Sequence, residues 1–306
     1  MIIVGAGLAG LLAANMLQRR HSVTVVEQQE HIPNNHSAVL RFRTPIIGDV
    51  LGIPFRKVNM IKCPAEWRNP VIDALAYSYK CTGQYRSDRS ITSGLVVEPR
   101  YIAPPNLIDR MANSINLKLN NRYDHGLGEI NIPVISTLPM PKLMEMLAYP
   151  EAPDITEFKS IKGYNVRAKI ADCDSFISLL IPDPNIPISR ISITGDEMII
   201  EVPRARTPEQ VSAKWIASAA IELLGISSNQ VMEVTLHEQK YSKITPIDDD
   251  ARKRFIAWAT DHHNIYSLGR FATWRPDLLL DDLVNDIRLI DKWLGQHHGY
   301  DRKERK

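Results

Sequence analysis

Three glycines within the first ten residues have the spacing for phosphate chemistry. Gly5, Gly7 and Gly10 form G-x-G-x-x-G, with Ala6, Leu8 and Ala9 between them. Gly5 permits a tight turn, Gly7 has no Cβ to hold a pyrophosphate off the backbone, and Gly10 lets a helix pack closely on a strand. A helix starting here offers unpaired N–H groups and a positive dipole end to the phosphates. Glu27, followed by Gln28, ends the next apolar run, where a carboxylate can accept hydrogen bonds from ribose hydroxyls. An acid at that place disfavours a cofactor with a 2′-phosphate.

Other polar residues could act on a substrate. Arg41 and Arg43 stand two apart in the segment after Glu27. In a dinucleotide enzyme that segment runs past the phosphates toward the reactive ring; the competing reading is a solvated pair. His36 opens the segment as a candidate acid or base, against the reading of a surface-loop histidine. Arg190 could clamp a carboxylate through two hydrogen bonds. Tyr241 and Lys243, in the stretch KYSKITP, are further catalytic candidates, each with a structural or surface alternative.

The elements that position these residues follow from periodicity. Residues 2–4 read as a buried strand, 8–19 as a helix and 22–26 as a second strand. Residues 104–115 read as a helix with Leu107, Met111 and Ile115 on one face. Residues 132–140 read as an apolar strand feeding another helix, so Thr137 and Pro139 fall at a strand's carboxyl end. Residues 156–203 alternate as strands, with a hairpin turn at Thr194, Gly195 and Asp196. Thr207 and Gln210 form a capping box before a helix that stops at Gly225, and strands return at 230–244. A helix over 248–260, a strand over 264–270 and a long helix from Asp277 complete the chain. The fold class expected is α/β: a Rossmann-like domain from 1–60, 98–150 and 250–306, with an antiparallel sheet plus helix, 61–97 and 151–249, inserted as the substrate domain.

Composition narrows the classes. The 306 residues are enough for two domains, and a net charge of +2 gives no argument for nucleic acid by itself. The three cysteines lack metal or redox spacing, which excludes a disulfide reductase and points to a reducing compartment. No apolar run reaches membrane-spanning length, and a strand starting at residue 2 leaves no room for a signal peptide, so a cytoplasmic location is expected.

The glycine motif with Glu27, the stretch VISTLP at 134–139 and the stretch LGRFATW at 268–274 resemble the FAD flavoproteins of glutathione-reductase type. The order of elements is most similar to the branch holding amine oxidases and UDP-galactopyranose mutase. The resemblance implies FAD as cofactor. Gly5, Ala6, Gly7, Leu8, Ala9, Gly10, Glu27 and Gln28 would hold its ADP half. Arg43, Thr137, Pro139, Gly269, Arg270, Phe271 and Trp274 would line the rest. It implies hydride transfer from an amine or amino-acid-type substrate to flavin N5, with a lyase outcome open. A non-redox mutase and a non-catalytic dinucleotide-binding module remain the alternatives. The stretch HSAVLRFR and the short chain also resemble phage FAD enzymes of thymidine hypermodification, which implies a glycine-modified base in DNA as substrate. Arg41, Arg43, Arg56, Lys57, Arg86 and Arg89 would then meet phosphates.

Overall fold

The structure, a computed structural model, describes residues 1–32, 39–65, 70–85, 94–124, 132–152, 157–203 and 212–301, without the side chains at 70–71, 240–242 and 296–301. Two sheets organise it. The first is parallel throughout. Strand β1 (Ile2–Val4) pairs on one side with β2 (Thr24–Val26) and on the other with β7 (Val134–Ser136). β6 (Leu117–Lys118) extends the sheet beyond β2, and β13 (Ile265–Ser267) extends it beyond β7. The strand order is therefore β13-β7-β1-β2-β6.

Alternation explains why both faces are covered. Ile3 and Val25 point into one core with α1 (Leu8–Leu17), α4 (Leu107–Ala112) and α8 (Asp282–Asp301). Val4, Val26 and Val134 point into another with α5 (Met140–Met146) and α7 (Asp249–His263). Strands this short and apolar on both faces need helices on each side. The chain leaves β1 toward β2 in one direction, while β7 lies in the other. The crevice beyond β1 is thus a topological switch point, the usual place for a ligand in an open α/β sheet.

The second sheet has eight strands in the order β12-β8-β11-β10-β9-β4-β5-β3. These are β3 (Arg41–Phe42), β4 (Arg56–Pro64), β5 (Val96–Ile102), β8 (Ser160–Ile170), β9 (Ser175–Leu180), β10 (Arg190–Gly195), β11 (Glu197–Pro203) and β12 (Val231–Ile244). One face buries Val166, Ile191, Ile193 and Ile200 under helix α6 (Ala213–Leu224). All pairings are antiparallel except β4 with β9. A parallel pair needs a long crossover, and here the chain between these strands passes through the first sheet.

Several boundaries differ from the sequence expectation. β3 and most of β4 pair in the larger sheet, although residues 1–60 were expected in the Rossmann-like part. Helix α6 starts at Ala213, where the Ser212 hydroxyl accepts from Trp215 N–H at 3.3 Å. The expected capping pair Thr207 and Gln210 lies outside the described residues. Gly225 ends that helix in the left-handed conformation, as its type predicts. The last helix begins at Asp282 rather than Asp277. The Asp282 carboxylate accepts from Leu279 N–H, three residues before the helix, and so ties the preceding loop to its first turn.

Candidate functional site

The carboxyl ends of the parallel strands converge on the glycine turn. Gly5 leaves β1 with a φ of +99°. A Cβ on Gly5 would stand 2.2 Å from the Thr137 hydroxyl, and one on Gly10 would stand 2.0 Å from the Gly5 carbonyl oxygen. Both positions exclude any side chain. Gly7, the residue before α1, differs: its missing Cβ would point into open space. Crowding behind the turn and room in front of it are what a pyrophosphate at a helix N-terminus requires. Ala6 and Leu8 are buried in support, and Ala9 is partly buried.

Glu27 ends β2 almost fully buried. Its Oε2 accepts from Ala6 N–H at 2.9 Å, and its Oε1 accepts from Gln29 N–H at 3.0 Å. A carboxylate has about four acceptor sites, so two remain for ribose hydroxyls. Gln28 beside it is exposed.

The far end of the chain closes the same cradle. Gly269 follows β13 with a φ of +96°, and a Cβ on it would lie 3.3 Å from the Ala9 Cβ of α1. Thr273 N–H and hydroxyl both donate to the Gly269 carbonyl, at 2.9 and 2.8 Å. The Arg270 guanidinium donates to the Leu278 carbonyl at 2.7 Å. Arg275 adds an ion pair with Asp286. This turn is held by those bonds and stands against the N-terminus of α1.

Some expected cofactor contacts have other duties. Trp274 is 1% exposed; its indole N–H donates to the Thr245 carbonyl at 2.9 Å, and its ring meets Phe158 edge-on. Its side chain is a core group and does not line the cradle. The Thr137 hydroxyl donates to the Val4 carbonyl at 2.7 Å, tying β7 to β1. Phe271 packs partly into the core of α5 and α7, and Pro139, partly buried, precedes α5. The Arg43 side chain is exposed, while its backbone N–H is held by Asp281.

A second constellation lies on the face of the larger sheet opposite α6. Arg190 and Glu201 are directly opposed across β10 and β11 and form an ion pair through the Arg190 Nε and Nη2. Arg190 therefore does not offer a free carboxylate clamp; its charge is already matched. Arg41, on edge strand β3, donates to the Ser192 hydroxyl at 3.3 Å and approaches the Met60 sulfur at 3.8 Å. β3 and β10 are four strands apart in sheet order. A flat sheet would separate them by roughly 19 Å at about 4.8 Å per strand, beyond an arginine's reach. The sheet is curled, and Arg41 spans its concave face.

The charges there act on one another. Burial pulls the Arg41 guanidinium down to about 10; Arg190 and Arg100 add to this, and Glu201 opposes it. Burial alone would raise the Glu201 carboxyl, but Arg190, Lys243 and Arg41 outweigh it and hold the group below the usual carboxylate range. Glu201 in turn raises Arg190. Burial, then the adjacent Cys81, pushes the Tyr77 hydroxyl on α3 (Pro70–Thr82) well above the usual phenol range. Lys80 on the same helix donates to the Ile181 and Asp183 carbonyls at 2.8 and 2.7 Å, and burial lowers it to about 8.

Lys243 lines a cavity of about 10 Å³ with Thr82, Thr245, Pro276 and Asp277, room for about one water. Tyr241 falls within β12, its side chain outside the described set, as are His36, Arg86 and Arg89. Arg56 forms an exposed pair with Asp174. The sequence reading missed Glu201, Ser192, Arg100 and Asp281. Glu201 had a signal: counting outward from the turn at Gly195, Arg190 falls opposite it.

Among the described residues there is no group of acidic, histidine or cysteine side chains able to hold a metal ion, and no helix long and apolar enough to cross a membrane.

Comparison with known proteins agrees with this geometry. The family described as NAD(P)-binding Rossmann-like domain matches residues 3–39, the segment from β1 to the approach of β3. No curated protein matches the chain. Among solved structures, reduced UDP-galactopyranose mutase superposes with a TM-score of 0.69 at 13% identity, over 96% of this chain and 93% of that one. Glycine oxidase from Bacillus cereus gives 0.54 at 13% identity, over 95% and 96%. An oxidoreductase from Methanosarcina mazei gives 0.53 at 10% identity, over 95% and 99%. The chain thus has a Rossmann-like parallel sheet joined to a curled second sheet, a fold it shares with these solved structures.

Proposed function

We propose that the protein is an FAD-dependent oxidoreductase acting on an amine or amino-acid-type substrate. The observation that carries this reading is the approach of Gly269 to Ala9. A turn from the end of the chain closes on the N-terminal glycine motif, so the cradle is built from both ends around one dinucleotide. Gly7 and the N-terminus of α1 take the pyrophosphate. Glu27 takes the ribose, and its two backbone donors hold it in place.

FAD held by Gly7, the N-terminus of α1 and Glu27 would supply a hydride acceptor for oxidation of the carbon next to the substrate nitrogen. The chain's own residues do the rest. The concave face of the larger sheet receives the substrate. The substrate amine must be neutral to react, and the cations on that face favour its deprotonated form. His36, Tyr241 and Lys243 are the candidates to move the proton. The imine left by oxidation hydrolyses or eliminates, which accommodates a lyase outcome. A glycine-modified thymidine in DNA fits the amino-acid class and is the narrowest form of the proposal.

The test is anaerobic titration of the FAD-loaded protein with glycine, N-alkyl glycines and a glycine adduct of thymidine. Bleaching of the flavin by one of them supports oxidation of an amine. Turnover of a sugar nucleotide only after dithionite reduction would replace this reading with a mutase. Absence of any effect would leave a binding module.

A further inference from the structure

On the concave face, two of the three arginines have their own carboxylates. Glu98 pairs with Arg100, and Glu201 pairs with Arg190. Arg41 has neither. Its two hydrogen-bonding partners are a serine hydroxyl and a thioether, and no salt bridge joins it to a carboxylate among the described residues. A partly buried guanidinium left with weak neutral acceptors carries a desolvation cost that an arriving anion would offset.

Arg41 is also held in place from a distance. Its neighbour Phe42 is buried in the core that contains Ala6 and Leu8 of the cofactor cradle, and stacks on Phe55. The next two residues are fixed by one carboxylate. Asp281 accepts from Arg43 N–H at 3.1 Å, from Thr44 N–H at 2.8 Å and from the Thr44 hydroxyl at 2.7 Å. Those three bonds join the segment after Glu27 to the loop that leads into α8.

We propose that Arg41 is the contact for an anionic group of the substrate, a carboxylate or a phosphate, and that Asp281 is a positioning residue that fixes the Arg43–Thr44 backbone and so aims Arg41 into the concave face. The inference rests on the reading of that face as the substrate site. It narrows the substrate class to amines that also carry an anion.

The experiment uses the full cofactor-loaded chain and three probes: acetate, glycolate and inorganic phosphate. Binding is read by calorimetry and by the rise in melting temperature, and cofactor content by absorbance. At least one probe should bind and raise the melting temperature of the unaltered chain. Preference for the carboxylates or for phosphate assigns the anion. Arg41→Gln should weaken that binding by about 10- to 100-fold, the worth of a charge-assisted hydrogen bond. It should leave cofactor content unchanged and should not lower the melting temperature without probe. Asp281→Ala should weaken binding several-fold, with Asp281→Asn recovering part of it, since an amide oxygen can still accept. If no probe binds, or if Arg41→Gln binds as well as the unaltered chain, the assignment is overturned. Loss of cofactor with anion binding intact would instead count against the cradle.

Discussion

The cradle and the concave face are made of different material. The cradle is mostly backbone: N–H groups at the start of α1, a glycine turn, and a second glycine turn from the end of the chain. Its one charged group, Glu27, is held by backbone donors. The concave face is made of side chains from β3, β5, β10 and β11: Arg190 is matched by Glu201 across two strands, Arg100 by Glu98 within one, and Arg41 reaches only the Ser192 hydroxyl and the Met60 sulfur. A backbone site depends on side chains that are missing and fails when atoms are added. A side-chain site depends on partners and fails when one is removed.

Substitutions can break or sharpen that contrast. The largest effect belongs to Gly10→Ala, whose Cβ would meet the Gly5 carbonyl at 2.0 Å. A backbone clash with no soft partner should cost about 3–5 kcal/mol in denaturant titration and abolish cofactor retention. Gly7→Ala is the counterpart. Its Cβ enters open space, so stability should shift by less than ~0.5 kcal/mol while FAD affinity falls. Equal damage from the two would erase the distinction between packing and ligand glycines.

Glu27→Ala comes next. It orphans the Ala6 and Gln29 N–H groups, at about 1–3 kcal/mol for a buried unsatisfied donor. The chain should fold without FAD, and full occupancy in that variant would remove the ribose assignment. On the concave face, Glu201→Gln should cost on the order of 1 kcal/mol, because the pair with Arg190 is only partly buried. Cofactor content should not change, and a fall in it would show that the two regions are not separable.

A further effect is one of pH. Lys80 is lowered from 10.5 to about 8 by burial, so between those values the folded chain binds fewer protons than the unfolded chain. Stability attributable to Lys80 therefore rises with pH across that window, as its burial cost is relieved. Denaturant titrations at pH 7.5 and 10 should show a smaller gain for Lys80→Gln than for the unaltered protein. An identical gain would mean that α3 does not bury this amine.

What could be read from the sequence follows the same division. The cradle was legible because it is local: Gly5, Gly7, Gly10 and Glu27 lie within one βαβ unit, and each glycine is required by a steric or conformational reason. Gly269 could be placed because it ends a strand and precedes a helix. Trp274 was misjudged because sequence proximity to that turn does not reveal which way a side chain points, and a left-handed φ of +45° turns it into the core. The concave face was only partly legible. Arg190 and Glu201 are related by counting from a hairpin turn. Arg41 meets Ser192 through the curl of an eight-stranded sheet, and Asp281 meets Thr44 across nearly the whole chain. Neither relation leaves a local pattern.

The most direct test of the central claim is the absorbance of the purified full chain, followed by denaturation and identification of what is released. The account predicts a yellow protein that releases FAD in stoichiometric amount and loses it in Gly7→Ala and Glu27→Ala. A colourless protein that does not take up added FAD, yet binds NAD at the same glycine turn, would contradict it.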